Sequence, residues 1–190
     1  MTLRIIAITL AAALPLASCG DTNARFPIPS DIEASVSKAR IAVGSIEVRD
    51  VSLPTYAAAS EIVVEQDNGA LSVVSKAIWA DDPVRGVTGA LTKSLGLRST
   101  AAVAAEPWPL AMPADVRLEV RIDRMIARTD GEFELSGQFA IAAPDGAIRE
   151  TMQRFALTAR MADASPATVA KATGIAIDRL ADVIIDKLRR

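Results

Sequence analysis

The clearest pattern in the chain is a strict alternation of apolar and polar residues between positions 116 and 161. Three runs carry it, DVRLEVRID, EFELSGQFAI and RFALTARM, and the dipeptides Asp130-Gly131 and Asp145-Gly146 separate them. Alternation places every second side chain on one face of a strand, and Asp-Gly between two such runs indicates a tight hairpin turn. The pattern therefore predicts an antiparallel meander of three strands with one buried and one solvated face.

Shorter elements are predicted ahead of the meander. The run RIAVGSIEV predicts a strand over 41–48 with a bulge near Gly44, and Pro54 is suited to open a short helical turn after it. The runs EIVVEQ and ALSVV lie on either side of Asn68-Gly69, a sequence that indicates a hairpin. The first half of the chain is therefore predicted to add one strand and one hairpin to the sheet.

The segment WADDPVRGVTGALTKSLGL changes to a helical period. Asp82 is suited to cap this helix, Pro83 to occupy its first position and Gly96 to close it. Its two interior glycines, Gly86 and Gly89, each weaken the helix by about 1 kcal/mol unless something packs closely against them. The apolar stripe of this predicted helix consists of Val84, Val87, Leu91 and Leu95.

A second helix is predicted to run to the end of the chain. Ser165 offers an N-cap, Pro166 a first helical residue, and the basic residues at the chain end suit a helix C-terminus. The predicted buried stripe is Val169, Thr173, Ala176, Leu180, Ile184 and Leu188. With a further short strand predicted at 101–105, the element order indicates a single α+β domain. In it, two main helices pack on one face of an antiparallel or mixed sheet.

The start of the chain is typical of a secretory signal peptide. A short positive flank ends at Arg4, and the uncharged apolar run IIAITLAAALPLA follows it. This run is short for a membrane span, and small residues precede Cys19. Residues 1–18 are therefore predicted to be a signal peptide that is cleaved between Ser18 and Cys19.

Cys19 is the one cysteine of the chain, so it cannot form an internal disulfide. The run Leu16-Ala17-Ser18-Cys19 resembles a bacterial lipobox, in which the cysteine sulfur receives a diacylglycerol and the new amino terminus is acylated. Several acyl chains hold a protein at a membrane far more firmly than one chain does. The alternatives are an ordinary signal peptide that happens to contain a cysteine, and a single-span anchor.

The residue after the cysteine bears on the choice of membrane. Gram-negative sorting retains lipoproteins with aspartate at this position in the inner membrane, whereas here it is Gly20. We therefore expect an outer-membrane anchor with the domain facing the periplasm, and the inner membrane is the alternative.

Residues 19–39 are predicted to be a lipidated tether, and 40–190 the folded domain. Pro27 and Pro29 oppose both helix and inner strand, so a mostly extended linker is expected, which touches the domain through Phe26 and Ile28. A few tens of ångströms of reach would let the domain stand off the membrane.

Composition excludes several classes of function. The chain has 21 basic and 23 acidic residues, and no basic patch predicts a nucleic-acid partner. It contains no histidine, which excludes a Ser-His-Asp triad, a Cys-His pair and histidine metal sites. Ser75-Lys76 and Lys93-Ser94 are adjacent pairs without a nucleophile elbow, so we expect no catalysis, no metal and no cofactor beyond the lipid on Cys19.

The runs IAVGSIEVRDVSLPTY, EIVV and AIWADDPVRGVTGALTKSLG, followed by Pro107-Trp108, together resemble the ABC-type transport auxiliary lipoproteins. These are the PqiC-like lipoproteins that accompany MCE-type lipid transport systems. The resemblance covers about 40–188, with matches at Leu53-Pro54-Thr55-Tyr56 and Trp79-Ala80-Asp81-Asp82-Pro83. The family usually has an aromatic-x-Leu strand soon after the anchor, where this chain has Arg25-Phe26-Pro27-Ile28.

The resemblance implies a non-enzymatic periplasmic subunit that is tethered to the outer membrane and aligns an MCE-type protein, with a homo-oligomer in some members. The candidate partner contacts are Leu53, Pro54, Tyr56, Trp79 and Trp108. Three of them also have a structural interpretation: a core residue for Trp79, a turn anchor for Tyr56, and a pinned loop for Trp108. Two other functions stay open, an accessory lipoprotein for β-barrel assembly and a stand-alone lipid- or peptide-binding module.

Overall fold

A computed structural model of the chain describes residues 23–30 and 37–189. Within these ranges it contains eight strands and three helices. The strands are β1 (Ala24–Phe26), β2 (Ser45–Val48), β3 (Glu61–Glu65), β4 (Leu71–Trp79), β5 (Ala102–Ala105), β6 (Val116–Arg128), β7 (Glu132–Ala142) and β8 (Thr151–Arg160). The helices are α1 (Thr55–Ala58), α2 (Pro83–Arg98) and α3 (Pro166–Leu188). The predicted α+β class is confirmed.

The sheet is organised on β6. β7 pairs antiparallel along one edge of β6, and β8 pairs antiparallel with β7, which confirms the predicted meander. The other edge is shared, because β2 pairs parallel with the start of β6 and β3 pairs parallel with its end. β5 extends the sheet beyond β2, whereas β4 and then β1 extend it beyond β3. Two short partial sheets therefore diverge from one edge of the same strand.

The two long helices pack against each other and against the sheet, α3 on β7 and β8 and α2 on β5. Every residue of the predicted α3 stripe is buried, as are the alanines of the same helix at 172 and 181. Small side chains at these positions allow α3 to approach its neighbours closely. Pro166 occupies the first turn of α3 as predicted, whereas the Ser165 side chain makes no capping hydrogen bond.

A buried ion pair joins α2 to α3. Arg98 Nη2 lies 3.2 Å from Asp178 Oδ2, and both side chains are buried. Asp178 Oδ1 accepts a hydrogen bond of 2.7 Å from Ser94, and Arg98 Nη1 reaches Asp182 at 3.0 Å on the rim. Asp178 Oδ2 accepts no hydrogen bond, so the Arg98 guanidinium compensates the negative charge on this oxygen only as an ion pair. Removing one member would leave a buried unpaired charge, which typically costs about 3–5 kcal/mol.

Two predicted boundaries were wrong. Ile41 and Val43 are buried but lie outside any strand, because Ala42 N–H donates to the carbonyl of Leu188 at the end of α3 instead of to a sheet neighbour. Helix α2 continues past Gly96 to Arg98. Its end is fixed by the buried Arg98 side chain, not by glycine.

The segment predicted as tether enters the sheet. Residues 24–26 form β1, parallel to β4, and Phe26 lies opposite Trp79. The expected contacts of Phe26 and Ile28 with the core are confirmed. Ile28 packs on α2 at Gly86, where an added Cβ would lie 3.2 Å from Ile28 Cδ1. The strand was missed because three residues between a polar segment and a proline carry no period of their own.

Gly137 on β7 lies where β6 bulges between Ile122 and Arg124. An added Cβ would overlap the carbonyl oxygen of Arg121 and lie 2.9 Å from Ile122 Cα. These are backbone atoms, so only a shift of the strand pair could relieve the overlap. We expect Gly137→Ala to lower the free energy of unfolding by at least about 2 kcal/mol, as measured by urea denaturation. A variant within about 0.5 kcal/mol of the parent chain would contradict this close approach.

The two interior glycines of α2 provide a matched pair. Apart from the backbone of α2 itself, nothing lies within 4 Å of a Cβ placed on Gly89, so Gly89→Ala gains helix propensity and should stabilise the chain by about 0.5–1 kcal/mol. At Gly86 the same gain is opposed by the contact with Ile28. We therefore expect Gly86→Ala to stabilise clearly less, or to destabilise. Equal urea midpoint shifts for the two variants would rule out close docking of Ile28 on α2.

Candidate functional site

The segment 52–56 fills a gap along the shared edge of β6. Ser52 N–H donates to the Val120 carbonyl at 3.0 Å, and the Ser52 carbonyl accepts from Ile122 N–H at 2.9 Å. One turn later, the Tyr56 hydroxyl accepts from the N–H of Met125 at 3.1 Å. The Tyr56 side chain thus supplies the acceptor for a backbone N–H of β6 that neither β2 nor β3 pairs with. Its position depends on α1, whose first turn Pro54 opens as predicted.

Tyr56 and Trp79 are brought together in the core. They line one small enclosed space with Met125, Phe133 and Val169. Trp79 is only 6% exposed at the end of β4, so its side chain belongs to the core. Leu53 is half-buried and packs against the same core. Of the five predicted contact residues, Leu53, Tyr56 and Trp79 therefore lie close to β6. Trp108 lies elsewhere.

Trp108 belongs to a loop that joins β5 to β6. Glu106 and Asp115 lie at the two ends of this loop, which we call its stems, and the contacts by which each holds its stem to β2 are called clasps. The first clasp is made by Glu106. The Glu106 backbone N–H donates to the Val48 carbonyl at 2.9 Å. Its carboxylate accepts from Asp50 N–H at 2.8 Å through Oε1, and Oε2 pairs with Arg49 at 2.9 Å. This one glutamate therefore ties the start of the loop to the end of β2.

Asp115 clasps the other stem. Its Oδ2 accepts from the N–H groups of Gly44, at 2.7 Å, and Ser45, at 3.1 Å. In return, the Ser45 hydroxyl accepts from the Asp115 N–H at 2.9 Å. Because three hydrogen bonds fix this stem to the start of β2, the loop is held at both ends by the same strand.

Between the stems, residues 107–113, PWPLAMP, form what we call the apolar loop. The sequence between Glu106 and Asp115 contains no charged residue. The Trp108 Nε1–H donates to the Met112 carbonyl at 2.8 Å, which closes the loop on itself. Leu110 and Met112 are 62% and 78% exposed. Adjacent exposed apolar side chains on a braced loop are typical of a contact surface, since a monomer gains nothing from displaying them to water.

A cluster of opposite charges lies across β3, β6 and β7. Arg124 pairs with Glu65 at 2.7 Å and with Glu134 at 3.1 Å. Burial lowers the pKa of Arg124, but the two carboxylates outweigh this effect and raise the pKa above its ordinary value. The cluster lies close to solvent, and its one guanidinium is shared by two carboxylates, so no positive charge is left over for an anionic ligand.

Other kinds of site were sought in the same residues. Across 23–30 and 37–189, no group of three His, Cys, Asp or Glu side chains is arranged to hold a metal ion. None of the helices in those ranges is long and apolar enough to cross a membrane. Ser18 and Cys19 lie outside the described residues, so lipidation and cleavage stay predictions.

Sequence reasoning singled out Trp108 but missed Leu110 and Met112. A signal was present, because an uncharged run with three prolines between two strands is unusual for a solvated connection. The sequence of the run could not reveal whether its apolar side chains face the core or solvent. The exposure of Leu110 and Met112 in the folded chain shows that these apolar residues face solvent.

Comparisons with known proteins concern nearly the whole chain. A family model described as ABC-type transport auxiliary lipoprotein component matches residues 26–185. A crystal structure of an uncharacterized protein is 16% identical with a TM-score of 0.71, and covers 87% of this chain and 98% of its own. The protein XCC0632 from Xanthomonas campestris is 16% identical with a TM-score of 0.63, at 88% and 92% coverage. These two likenesses show the fold alone. No curated protein matches the chain significantly.

The Tyr56 hydroxyl can be tested by removal. Tyr56→Phe leaves the buried Met125 N–H without an acceptor, and we expect the free energy of unfolding to fall by about 1–3 kcal/mol. Thr55→Ala, at an exposed position of the same short helix, is the matched control and should stay within about 0.5 kcal/mol of the parent. Urea denaturation measures both. If the two variants unfold at the same midpoint, Tyr56 does not complete the edge of β6.

Proposed function

We propose, because the chain belongs to the family of ABC-type transport auxiliary lipoprotein components, that it is a non-catalytic lipoprotein subunit of an MCE-type lipid transport system. Acyl chains on Cys19 anchor it in the outer membrane, and the domain faces the periplasm. There it holds or aligns the MCE-type protein that bridges the envelope. Family membership supports the association with an ABC transport system, while the MCE partner, the lipid cargo and the membrane are our proposal.

The apolar loop carries this proposal. Two clasps and the Trp108–Met112 hydrogen bond restrict the loop in the isolated chain, so little conformational entropy remains to be lost on binding. Leu110 and Met112 are exposed and flexible enough to fit an apolar recess of a partner. Burying one such side chain contributes about 1.5–3 kcal/mol. A braced loop with exposed apolar side chains supports protein binding over catalysis.

The five residues of the predicted contact set divide under this proposal. Trp108 holds the apolar loop in shape and lies next to the partner. Leu53, Pro54, Tyr56 and Trp79 act indirectly, since they complete the edge of β6 and its core and are not needed as contacts. Assembly of several copies stays a prediction, and so does the absence of a nucleic-acid partner.

The test is recovery of partners from native membranes in mild detergent, identified by mass spectrometry. The wild-type chain should recover an MCE-type protein. Leu110→Ser/Met112→Ser should recover it at least about tenfold less well, since a loss of 1.4 kcal/mol corresponds to that factor. Met152→Ser is the matched control, because Met152 is a similarly exposed methionine on β8. Cys19→Ala should weaken recovery by releasing the chain from the membrane.

Three results would contradict the proposal. Recovery of a β-barrel protein without an MCE-type protein would favour the assembly lipoprotein. Undiminished recovery of an MCE-type protein by the loop variant would show that the partner binds another surface. Recovery of neither would favour a stand-alone binding module.

A further inference from the structure

The direction in which the chain enters the sheet fixes which end of the domain faces the anchor. β1 is parallel to β4, and β4 is antiparallel to β3, which is itself parallel to β6. The N-terminal end of β1 therefore points toward the end of the sheet where β3 and β6 finish. That end carries the β3–β4 hairpin at 66–70 and the β6–β7 turn at 129–131, and we call it the turn end.

The covalent chain between Cys19 and β1 is short. Five peptide links separate Cys19 from Ala24, so their Cα atoms are at most about 18 Å apart even when the chain is fully extended. Ala24 lies opposite Ala77, next to the pair Ile78 and Glu61. Because Val64 pairs with Ala127, Glu61 is level with Arg124 on β6.

The opposite end of the sheet is out of reach. Arg124 lies eight positions after Val116 at the start of β6, which corresponds to roughly 26 Å along the strand. β3 and β4 also lie between β1 and β6, which adds to the separation. Cys19 therefore cannot approach the start of β6, where Asp115 clasps the apolar loop.

The turn end displays an apolar patch of its own. Leu71 and Val73 on β4 are 44% and 61% exposed. Val73 lies opposite Val63 on β3, and both face away from the side on which Ile62 and Val64 are buried. The six residues from Ala70 to Ser75 contain no charge. This patch therefore lies on the part of the domain that the anchor holds closest to the bilayer.

We propose that the turn end faces the membrane and that Leu71 and Val73 contact the lipid bilayer. This inference rests on acylation of Cys19, which is part of the proposed function. The chain length before β1 selects lipid as the occupant, because an anchor within about 18 Å of Ala24 leaves little room for a protein between this patch and the bilayer. The apolar loop, with both stems along the first part of β6, then faces away from the membrane.

Site-specific fluorescence on the full lipidated chain tests the orientation. The sulfur of an acylated Cys19 is blocked, so a single introduced thiol can be labelled with an NBD fluorophore. Val73→Cys is the test position and Met112→Cys, in the apolar loop, is the matched control. The labelled chains are reconstituted in vesicles of phosphatidylethanolamine and phosphatidylglycerol, with and without doxyl-labelled acyl chains.

We expect doxyl lipids to quench the label at 73 at least about twofold more than the label at 112, since collisional quenching needs contact with the acyl region. Leu71→Cys repeats the test if Val73→Cys does not fold, as judged by near-ultraviolet circular dichroism. Equal quenching at both positions, or stronger quenching at 112, would overturn the orientation.

Two readouts on the same samples separate this inference from its premise. Flotation with the vesicles and the mass of the N-terminal peptide report whether Cys19 is acylated. A chain that is acylated and floats, yet shows no quenching at 73, refutes the orientation and leaves the proposed function intact. A chain without acyl chains that does not float refutes both.

Discussion

The structure depends on satisfying one long edge of β6. About half of the thirteen residues of this strand direct their backbone groups to the side away from β7, and neither parallel neighbour covers more than a few of them. An unpaired buried N–H costs as much as a lost hydrogen bond, so the intervening positions need other partners. Ser52 and the Tyr56 hydroxyl are those partners. A short helix, α1, is inserted between β2 and β3 because it brings the tyrosine to the required level.

Division of this edge also separates the two exposed apolar surfaces. The β2–β5 partial sheet, on the first part of β6, carries the apolar loop, and Glu106 and Asp115 fix that loop to opposite ends of β2. The β3–β4–β1 partial sheet, on the last part, includes residues 24–26 as its outer strand. Because β6 extends about 40 Å, one continuous strand keeps β1 and the apolar loop at a fixed distance from each other. A rigid spacer of this kind suits a protein that positions a partner relative to a membrane.

The sequence could predict only those features that depend on residues close together in the chain. The meander, the β3–β4 hairpin and the buried stripe of α3 follow from period and turn residues that are close in the chain. The parallel pairings of β6 with β2 and β3 join segments far apart, and no local pattern records them. Likewise, Ile41 and Val43 have strand-like alternation, but their neighbour is the end of α3. They are therefore buried without pairing to a strand. Gly86 shows the same limit, because the side chain that packs against it, Ile28, lies 58 positions earlier in the chain.

The residues by which the family resemblance is recognised are not the residues that the structure displays. Leu53, Pro54, Tyr56 and Trp79 match the family pattern, and each is engaged inside the fold, in a hydrogen bond to β6, a helical turn or the core. A fold that divides the edge of its central strand needs such residues whatever its partner is. Under the proposed function and orientation, contact with a partner is therefore expected at Leu110 and Met112, and contact with the bilayer at Leu71 and Val73, where the side chains are exposed. Substitutions at the first set should change stability, whereas those at the second set should change binding or orientation while the fold persists.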